Sequence, residues 1–387
     1  MKFGLSDLGI VCALGCGKAE VLKNALASSV RGMQKSGDVI ANSETFLGVA
    51  DFELPQIENS RHNTRCNALA LAAALQIEDK IRGAISKYGA GRVGVVLGSS
   101  NTGMREFQRE HFLYTMQNSQ KRPSAFHGEL GNVAEFIAGY FNLSAPSYVI
   151  STACSSSAKA FASAQNLLQS GVCDAVICGG ADSICNFVVN GFYSLGAISK
   201  SLTNPMSKNR SGINIGEGAA IFLMQKEPAA INLAGVGESS DAYHATTPDP
   251  SGEGAMLSMR AALANSGFKP SDIQYVNLHG TGTAFNDSME AKAVWQVLGG
   301  DVLCSSTKPM TGHTLGAAGA IEAGLCYLMM SDMNEKRAII EHVYDGQYDE
   351  NLPRINLAGG GLSARVKCAL SNSFAFGGSN ASVILEG

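Results

Sequence analysis

Three residues of the sequence carry side chains suited to acyl chemistry: Cys154, His279 and His313. Cys154 follows the apolar run Pro146–Ile150 and precedes an alanine-rich stretch that ends at Gly171, which predicts a strand-to-helix turn. The unpaired amides of a helix start stabilise a thiolate and can hold a developing oxyanion. Taken by itself, however, this cysteine is more simply explained as a small buried residue packed between strand and helix.

The two histidines change that balance. Each lies in a turn rich in glycine and threonine, His279 in His279–Thr283 and His313 in Thr311–Gly319. Imidazoles in such turns can face a pocket, and two of them with a thiol suggest nucleophilic attack on a carbonyl carbon. The thiol would hold an acyl group while the imidazoles polarise a second carbonyl and stabilise an enolate. On these residues alone, a thiol hydrolase or an acyltransferase fits nearly as well.

The composition limits the classes of partner. The chain has 387 residues, 45% of them hydrophobic, and a net charge of -4 with no long run of one sign, so we do not expect nucleic acid as a partner. Its 10 cysteines lack metal-ligand spacing, which predicts reduced thiols in the cytoplasm and no metal site. No apolar run is long enough to span a membrane. Ile10–Cys16 faintly resembles a lipoprotein cleavage site, but Asp7 interrupts the apolar stretch, so a strand and glycine turn are expected.

Strands and helices alternate in both halves of the chain, which predicts a largely parallel α/β architecture. A seam at Pro228 divides it into residues 1–229, with the cysteine, and residues 230–387, with both histidines. Each half contains one helix unusually rich in small residues, after Cys154 and after His313. Because small residues let helix backbones approach closely, we predict that these two helices bring Cys154 and His313 together at their N-termini.

Three further segments receive a secondary-structure prediction. Residues 31–59, with mixed glycine, aspartate and proline, are expected to run as surface loops. Dense alanine and leucine at helical spacing predict one long helix over Asn67–Lys87. The amphipathic stretch Met104–Asn118 is predicted to form a helix as well.

Four separate motifs make a family resemblance specific. They are Ser151–Ser157 (STACSSS), His279–Asp287 (HGTGTAFND), Ser306–Ala320 (STKPMTGHTLGAAGA) and Asn372–Asn380 (NSFAFGGSN). With these motifs in this order, the chain resembles the β-ketoacyl-acyl-carrier-protein synthases of the elongating (KAS I and KAS II) type over essentially its whole length. The resemblance implies the thiolase fold, with two similar α/β halves in a layered αβαβα arrangement.

The resemblance also implies an activity, a decarboxylative Claisen condensation by an acyltransferase (class EC 2.3.1) that needs no cofactor. Cys154 is expected to be the acylated nucleophile. His279 and His313 are expected to bind the malonyl thioester carbonyl and promote decarboxylation. The backbone amides of Cys154 and Phe376 would form the oxyanion hole, with the Phe376 ring as a gate to the acyl pocket. The product would be a β-ketoacyl chain two carbons longer, and carbon dioxide.

Charged and aromatic neighbours are expected to support these residues. Lys308, paired with Glu290, is predicted to tune the imidazoles and to orient the surroundings of the second histidine. Glu322 is expected to support the site through contacts with the catalytic residues rather than with the substrate. Asp287 and Phe374, which lie in the first histidine motif and in the C-terminal motif, complete the supporting set.

An acyl carrier protein bearing acyl and malonyl groups is the expected partner. Because such carriers are acidic, a basic docking patch is expected. The candidates are Arg61, Arg65, Lys121 and Arg122, although ordinary solvated surface charge explains them equally well. The resemblance also implies a homodimer, or a heterodimer with a related ketosynthase or chain-length factor.

Two other functions stay open at this point. A chain-length factor or structural subunit typically lacks the nucleophilic cysteine, so the presence of Cys154 and both histidines favours an active subunit. A non-decarboxylating thiolase-like enzyme would need a second reactive cysteine late in the chain, and Cys368 does not lie in such a motif.

Several departures from the family pattern indicate a specialised enzyme. Ala375 replaces the glycine between the two aromatic residues of the last motif, which predicts a stiffer gate because alanine tolerates positive φ poorly. Ser207 and Ser211 replace acidic residues, and Ala284 replaces a common proline. The loop Gly237–His244 and the short N-terminus resemble ketosynthases of bacterial aryl polyene pigment pathways.

Overall fold

The computed structural model describes residues 2–117 and 119–387. Its strands are β1 Phe3–Cys12, β2 Gly15–Cys16, β3 Met33–Ile40, β4 Ser43–Gly48, β5 Val93–Gly98, β6 Ser147–Ile150, β7 Ala175–Asp182, β8 Ile215–Gly216, β9 Gly218–Gln225, β10 Asn232–Ser240, β11 Tyr275–Asn277, β12 Leu303–Ser305, β13 Asn356–Leu357, β14 Cys368–Phe374 and β15 Ser379–Glu386. Its helices are α1 Lys18–Leu26, α2 Arg65–Leu75, α3 Glu78–Tyr88, α4 Met104–Met116, α5 Ala125–Gly128, α6 Asn132–Tyr140, α7 Ser156–Gln169, α8 Asn186–Ser194, α9 Glu253–Ser266, α10 Ala284–Leu298, α11 Lys308–Thr311 and α12 Ala318–Met330.

The strands of the two halves follow the same order. The first half runs β6-β5-β7-β9-β1 and the second half runs β12-β11-β14-β15-β10, with β13 added at the edge. Pairing directions match as well, since β5 and β11 lie parallel to both neighbours while β9 and β15 lie antiparallel to theirs. A short ladder that places Phe3 opposite Leu233 joins β1 to β10. The fold therefore consists of two topologically similar halves.

The prediction of a largely parallel sheet is wrong for the strands nearest the junction of the halves. There, β1 pairs antiparallel with both β9 and β10, and β15 pairs antiparallel with β14. The reason is clearest for β14 and β15, which only the short turn Ala375–Gly378 connects. A short turn can join antiparallel strands, whereas a parallel pair needs a long crossover.

Helices cover and separate the two sheets. Helix α7 packs on β5 and β7 of the first half and also touches β10 and β15 of the second, while α12 packs on β14, β7 and β9. Helices α2 and α6 cover the outer face of the first sheet, and α9, with α10 against it, covers the outer face of the second. This order of layers is the αβαβα arrangement, so the predicted fold class is confirmed.

The two central helices approach each other at small residues. A β-carbon placed on Gly319 of α12 would lie 2.8 Å from the backbone nitrogen of Ala158 in α7, closer than such atoms normally come. The contact places the helix starts side by side. The turns that precede α7 and α12 carry Cys154 and His313, as the small-residue pattern predicts.

Two predicted segments have a different structure. The segment predicted as one helix over Asn67–Lys87 is two helices, α2 and α3, with a break at Gln76. The Gln76 side chain accepts the Ile10 N–H at 3.0 Å and donates to the Ile10 carbonyl at 3.2 Å. It therefore hydrogen-bonds to strand β1 at the point where the helix is interrupted. Residues 31–59, expected as loops, contain the antiparallel hairpin of β3 and β4.

The helix predicted to begin at Met104 does begin there and ends at Met116. The predicted end, Asn118, lies outside the described residues. Across residues 2–117 and 119–387, none of the helices combines the length and apolar character needed to cross a membrane.

The helix contact generates a stability prediction. The variant Gly319→Ala should lower the free energy of unfolding by about 1–3 kcal/mol, because the added methyl group overpacks the contact with Ala158. Urea denaturation followed by circular dichroism measures this change. Gly83 is the matched control, since it also lies within a helix but has no atom within 4 Å of an added β-carbon. The variant Gly83→Ala should therefore stabilise the fold by about 0.4–1 kcal/mol, and equal effects at both glycines would contradict the role of the contact.

Candidate active site

Cys154 lies in a constrained turn between β6 and α7. The residue before it, Ala153, has a left-handed backbone with φ of 51°, which is unfavourable for any residue except glycine. The hydroxyl of Ser156 holds this turn, because it accepts the Thr152 N–H at 2.9 Å and donates to the Ala153 carbonyl at 2.5 Å. As a result, Cys154 is fixed directly before the start of the helix and is only 5% exposed.

The two histidines lie beside this thiol. One donor atom each from Cys154, His279 and His313 lies within 4.8 Å of the other two. The imidazole centroids are 5.3 Å apart and the rings are nearly perpendicular, at 85°. Phe374 packs edge-on against His279 at 6.1 Å. The structure thus brings together a thiol from the first half and two imidazoles from the second.

Hydrogen bonds define the tautomer of each imidazole. The Leu315 N–H donates to His313 Nδ1 at 3.1 Å. Lys308 Nζ lies 3.4 Å from His279 Nδ1, and an ammonium group can only donate. Each neutral ring with an accepting Nδ1 carries its proton on Nε2. The site therefore presents two Nε2–H donors.

Both imidazoles stay neutral at physiological pH. Burial lowers the pKa of His279 well below 6.5, and the positive charge of Lys308 lowers it further. The same two causes lower the pKa of His313 well below 6.5. An imidazolium is therefore excluded from the resting site near neutral pH.

Lys308 is a buried cation whose partner differs from the predicted one. Its ammonium lies 2.5 Å from Glu322 Oε1 and donates to the His279 carbonyl oxygen, so its contacts are with the first histidine and not with His313. Glu290 instead accepts the backbone N–H groups of His279 at 2.8 Å and Gly280 at 2.7 Å. The predicted pair of Lys308 with Glu290 is therefore wrong, because backbone amides of the histidine turn occupy that carboxylate.

Asp287 supports the same turn from further away. Its carboxylate accepts the N–H of Met206 at 2.8 Å and that of Gly282 at 3.2 Å. The side chain of Arg210 lies 3.9 Å from it, so the buried carboxylate has a nearby positive charge. Glu290 and Asp287 together fix the glycine turn that carries His279.

Burial keeps Cys154 as a thiol in the resting site, rather than as the thiolate that a helix start would stabilise. Burial raises the pKa of this thiol to about 11, even though the charge of Lys308 and the backbone N–H of Phe376 act in the opposite direction. The cost of moving a thiolate out of water exceeds the stabilisation from these neighbours. The backbone N–H of Phe376 acts as a hydrogen-bond donor to this sulfur, so it lies where an oxyanion donor is expected.

A cavity of about 320 Å³ reaches the thiol and both imidazoles. Phe374 and Phe376 form part of its wall, and the ring of Phe376 lies 5.3 Å from that of Phe192. Phe285, which is 64% exposed, lies at its edge. The cavity therefore leads from solvent to the buried thiol past aromatic rings.

Comparison with known proteins decides the family. Residues 53–230 match the β-ketoacyl synthase N-terminal domain and residues 230–335 match the β-ketoacyl synthase C-terminal domain. The chain belongs to the β-ketoacyl synthase family.

Individual relatives agree with this assignment. The chain is 30% identical over 350 residues to a 3-oxoacyl-[acyl-carrier-protein] synthase 2 of Staphylococcus aureus (strain COL), covering 85% of this chain and 83% of the relative. It is 31% identical over 362 residues to the protein of the same name from Synechocystis sp., covering 87% and 86%. Among solved structures, it is similar to the ketosynthase ApeO in complex with its chain length factor ApeC from Xenorhabdus doucetiae. That similarity has a TM-score of 0.95 and 38% identity, covering 100% of this chain and 98% of that one.

One of the four basic residues predicted to dock a carrier is not available in this synthase. The guanidinium of Arg65 binds Glu217 at 2.5 Å and the Ala50 carbonyl at 2.9 Å. Because Glu217 is 1% exposed, this is a largely buried ion pair that stabilises the fold internally. Arg65 therefore does not contribute a free positive charge to the predicted patch.

The other three candidates remain on the surface. Arg61 pairs with Glu135 at 3.0 Å, and Lys121 lies 3.4 Å from Glu110. Arg122 is exposed and makes no ion pair within the part of the chain that the structure describes. Docking by these three residues stays a prediction.

Two acidic residues of the site were missed in the sequence. Asp241 binds the turn that carries Phe376, since its N–H donates to the Gly378 carbonyl at 2.7 Å and its carboxylate accepts from Asn380 at 2.8 Å. Asp182, fully buried, ends strand β7 and binds the turn after His313. A charged residue at the carboxyl end of an apolar strand was the available signal for Asp182.

The variant Lys308→Met should make the thiol of Cys154 less reactive. Because the charge of Lys308 lowers the pKa of Cys154, its loss should raise that pKa above about 11. Because only the thiolate reacts, alkylation by iodoacetamide should then slow about 10-fold for each unit by which the pKa rises, at pH values well below about 11. Intact-protein mass spectrometry against pH measures the rate.

The matched control is Lys159→Met. Lys159 is much closer to the nucleophile in sequence than Lys308, but its side chain lies 3.7 Å from Glu238 and its charge is not among the main causes that shift the pKa of Cys154. Its loss should leave alkylation unchanged. Equal alkylation rates in wild type and Lys308→Met would show that the buried cation does not act on the thiol.

Proposed function

We propose that this synthase catalyses the decarboxylative condensation of an acyl group held on Cys154 with malonyl-acyl-carrier protein. The observation that carries the proposal is the pair of neutral imidazoles beside a buried thiol, each with a free Nε2–H. The names of the relatives from Staphylococcus aureus and Synechocystis sp. support the same reaction class.

In the first half-reaction, the sulfur of Cys154 attacks the thioester carbonyl of the acyl carrier. The backbone N–H groups of Cys154 and Phe376 hold the oxyanion of the tetrahedral intermediate. The carrier thiolate then leaves and takes up the proton that Cys154 loses. The exchange of one thioester for another is therefore balanced in protons, so a resting thiol with a raised pKa is compatible with it.

In the second half-reaction, the carbonyl oxygen of the malonyl thioester accepts hydrogen bonds from Nε2 of His279 and His313. Loss of carbon dioxide leaves the electron pair of the broken C–C bond in an enolate, which the same two donors stabilise. The enolate carbon attacks the acyl carbon on Cys154, and the cysteine sulfur leaves as a thiolate that takes up a proton from water. Decarboxylation generates the carbanion, so no strong base is required and two neutral donors suffice.

The proposal includes partners and organisation. We propose that the synthase works with an acyl carrier protein in the cytoplasm, as a homodimer or a heterodimer with a related ketosynthase or chain-length factor. The complex formed by the similar Xenorhabdus ketosynthase supports the heterodimer. Residues 1–229 and 230–387 are proposed as the two domains, and the meeting of the two family matches at residue 230 supports this division.

A specialised pathway is proposed for the product. The substitutions Ser207, Ser211 and Ala284, together with the loop Gly237–His244, support a role in bacterial aryl polyene pigment synthesis rather than in housekeeping fatty-acid synthesis. The alternative of a chain-length or structural subunit is disfavoured because the thiol and both imidazoles converge on one cavity.

Separate assays of the two half-reactions test the proposed function. With acyl-carrier protein, wild type should accumulate an acyl group on Cys154, and Cys154→Ala should accumulate none. The variants His279→Ala and His313→Ala should still be acylated, but release of carbon dioxide from malonyl carrier should fall by about 100-fold or more, because each removes a transition-state donor. Intact mass and carbon dioxide release are the measurements.

Cys16→Ala is the control for this experiment, since Cys16 is an exposed thiol on β2, outside the cavity. It should behave as wild type in both assays. Absence of acylation with every carrier, alone or with a partner subunit, would favour the structural subunit. Acylation without any decarboxylation in wild type would favour a non-decarboxylating acyltransferase.

The gate at Phe376 generates a further prediction. The left-handed residues of its turn are Gly377 and Gly378, with φ of 82° and 76°, whereas Ala375 is not among the left-handed residues. Ala375 is therefore unstrained in this state, and its methyl group restricts only movements of the turn that need positive φ. The variant Ala375→Gly should accelerate acylation and broaden chain-length selectivity, measured with carriers of graded acyl length.

Gly377→Ala is the opposing control for the gate. It places a β-carbon at a left-handed residue, which costs about 1–2 kcal/mol, and should slow acylation. An Ala375→Gly variant with unchanged acylation rate and chain selectivity would show that this alanine does not restrict the gate.

A further inference from the structure

We propose that Asp182 is a positioning residue, which fixes the orientation and tautomer of His313 from the opposite half of the fold. The proposal rests on the proposed function, in which His313 donates from Nε2 to the malonyl thioester. It assigns a role to a buried carboxylate that takes no part in the chemistry itself.

Asp182 organises a loop of its own half. Oδ1 accepts the hydroxyl of Ser99 at 2.6 Å and the N–H of Asn101 at 3.1 Å. Oδ2 accepts the N–H of Ser100 at 2.9 Å and its hydroxyl at 2.8 Å. These bonds satisfy a carboxylate that is completely buried and fix its two oxygens in space.

One further bond crosses to the second half of the chain. The N–H of Gly316 donates to Asp182 Oδ2 at 2.6 Å. The approach is so close that a β-carbon on Gly316 would lie 2.7 Å from the same oxygen and 2.6 Å from the Ser100 nitrogen. Glycine at this position therefore lets the backbone reach the carboxylate.

The backbone of Leu315, which lies between His313 and Gly316 in the chain, is strained. Leu315 has φ of 55°, a left-handed backbone that costs a non-glycine residue about 1–2 kcal/mol. This conformation directs the Leu315 N–H to His313 Nδ1 and the next N–H, that of Gly316, to Asp182. The carboxylate thus holds the strained turn in the shape that keeps a donor on Nδ1 and the ring proton on Nε2.

The role of Asp182 is not to activate the thiol of Cys154. Its negative charge raises the pKa of Cys154, so it opposes formation of a thiolate. A group that served acylation would lower that pKa, as the positive charge of Lys308 does. The two half-reactions should therefore respond differently when Asp182 is changed, and this difference separates positioning from a general loss of structure.

The test uses Asp182→Asn in the full chain. The amide keeps the shape but presents an NH2 group to backbone donors, so the turn should relax. Carbon dioxide release from malonyl carrier should fall about 10- to 100-fold, as for a small misplacement of a catalytic group. Acylation of Cys154 should stay unchanged or become faster, because a charge that raises its pKa is gone.

Asp174→Asn is the matched control, because Asp174 directly precedes the same strand at its other end and pairs on the surface with Arg92 and Lys226. It should leave both half-reactions as in wild type. Imidazole ¹⁵N spectra should show a single Nε2–H tautomer of His313 in wild type and in this control, and a mixture in Asp182→Asn.

If Asp182→Asn does not fold, Ser100→Ala gives the milder version of the test. It removes the hydroxyl that donates to Asp182 and contacts the Gly316 N–H at 3.2 Å, so decarboxylation should again fall more than acylation. Equal loss of both half-reactions, or an unchanged His313 tautomer in the folded variant, would overturn the proposal. A wild type without decarboxylation would instead reject the proposed function, while the tautomer spectra would still test the positioning of His313.

Discussion

The close approach of α7 and α12 is the constraint on which the site depends. Gly319 lies against Ala158 so closely that even one methyl group would overlap the neighbouring backbone. Because each helix starts just after a turn with catalytic side chains, their separation sets the distance between Cys154 and His313. The layered arrangement follows from the same contact, since the paired helices form the common layer on which both sheets pack. Small residues here thus serve both the packing and the chemistry.

Within this frame, one buried cation governs the protonation of the site. Lys308 lowers the pKa of both histidines and opposes the rise in the pKa of Cys154. Glu322 forms an ion pair with Lys308, yet the charge of Lys308 still lowers the pKa of both imidazoles. Desolvation and this charge act in the same direction on the imidazoles. The outcome is a site of neutral hydrogen-bond donors, which suits an enolate better than a site of proton acceptors does.

Much of this arrangement could be predicted from the sequence, because glycine-rich turns and apolar strands are local signals. Motif order located the thiol and both imidazoles, and small residues predicted the helix contact. Which side chains of neighbouring elements pair with one another could not be predicted in the same way. The partner of Lys308 depends on how α12 presents Glu322, while backbone amides already occupy Glu290. Likewise, only the assembled fold shows that burial of Cys154 outweighs its position at a helix start.

The burial that creates the site also opposes folding. Glu290 and Glu322 have their pKa values raised from 4.5 to about 7. A carboxyl group whose folded pKa is raised binds its proton more tightly in the fold than in the unfolded chain, so its contribution to stability falls as the pH rises from about 4.5 to about 7. Near neutral pH it is therefore these two carboxyls, rather than the histidines or the thiol, that are close to titrating. Ionised Glu290 accepts the amides of the His279 turn, and ionised Glu322 keeps its ion pair with Lys308, so the fold gives up stability in the pH range in which the site is correctly charged.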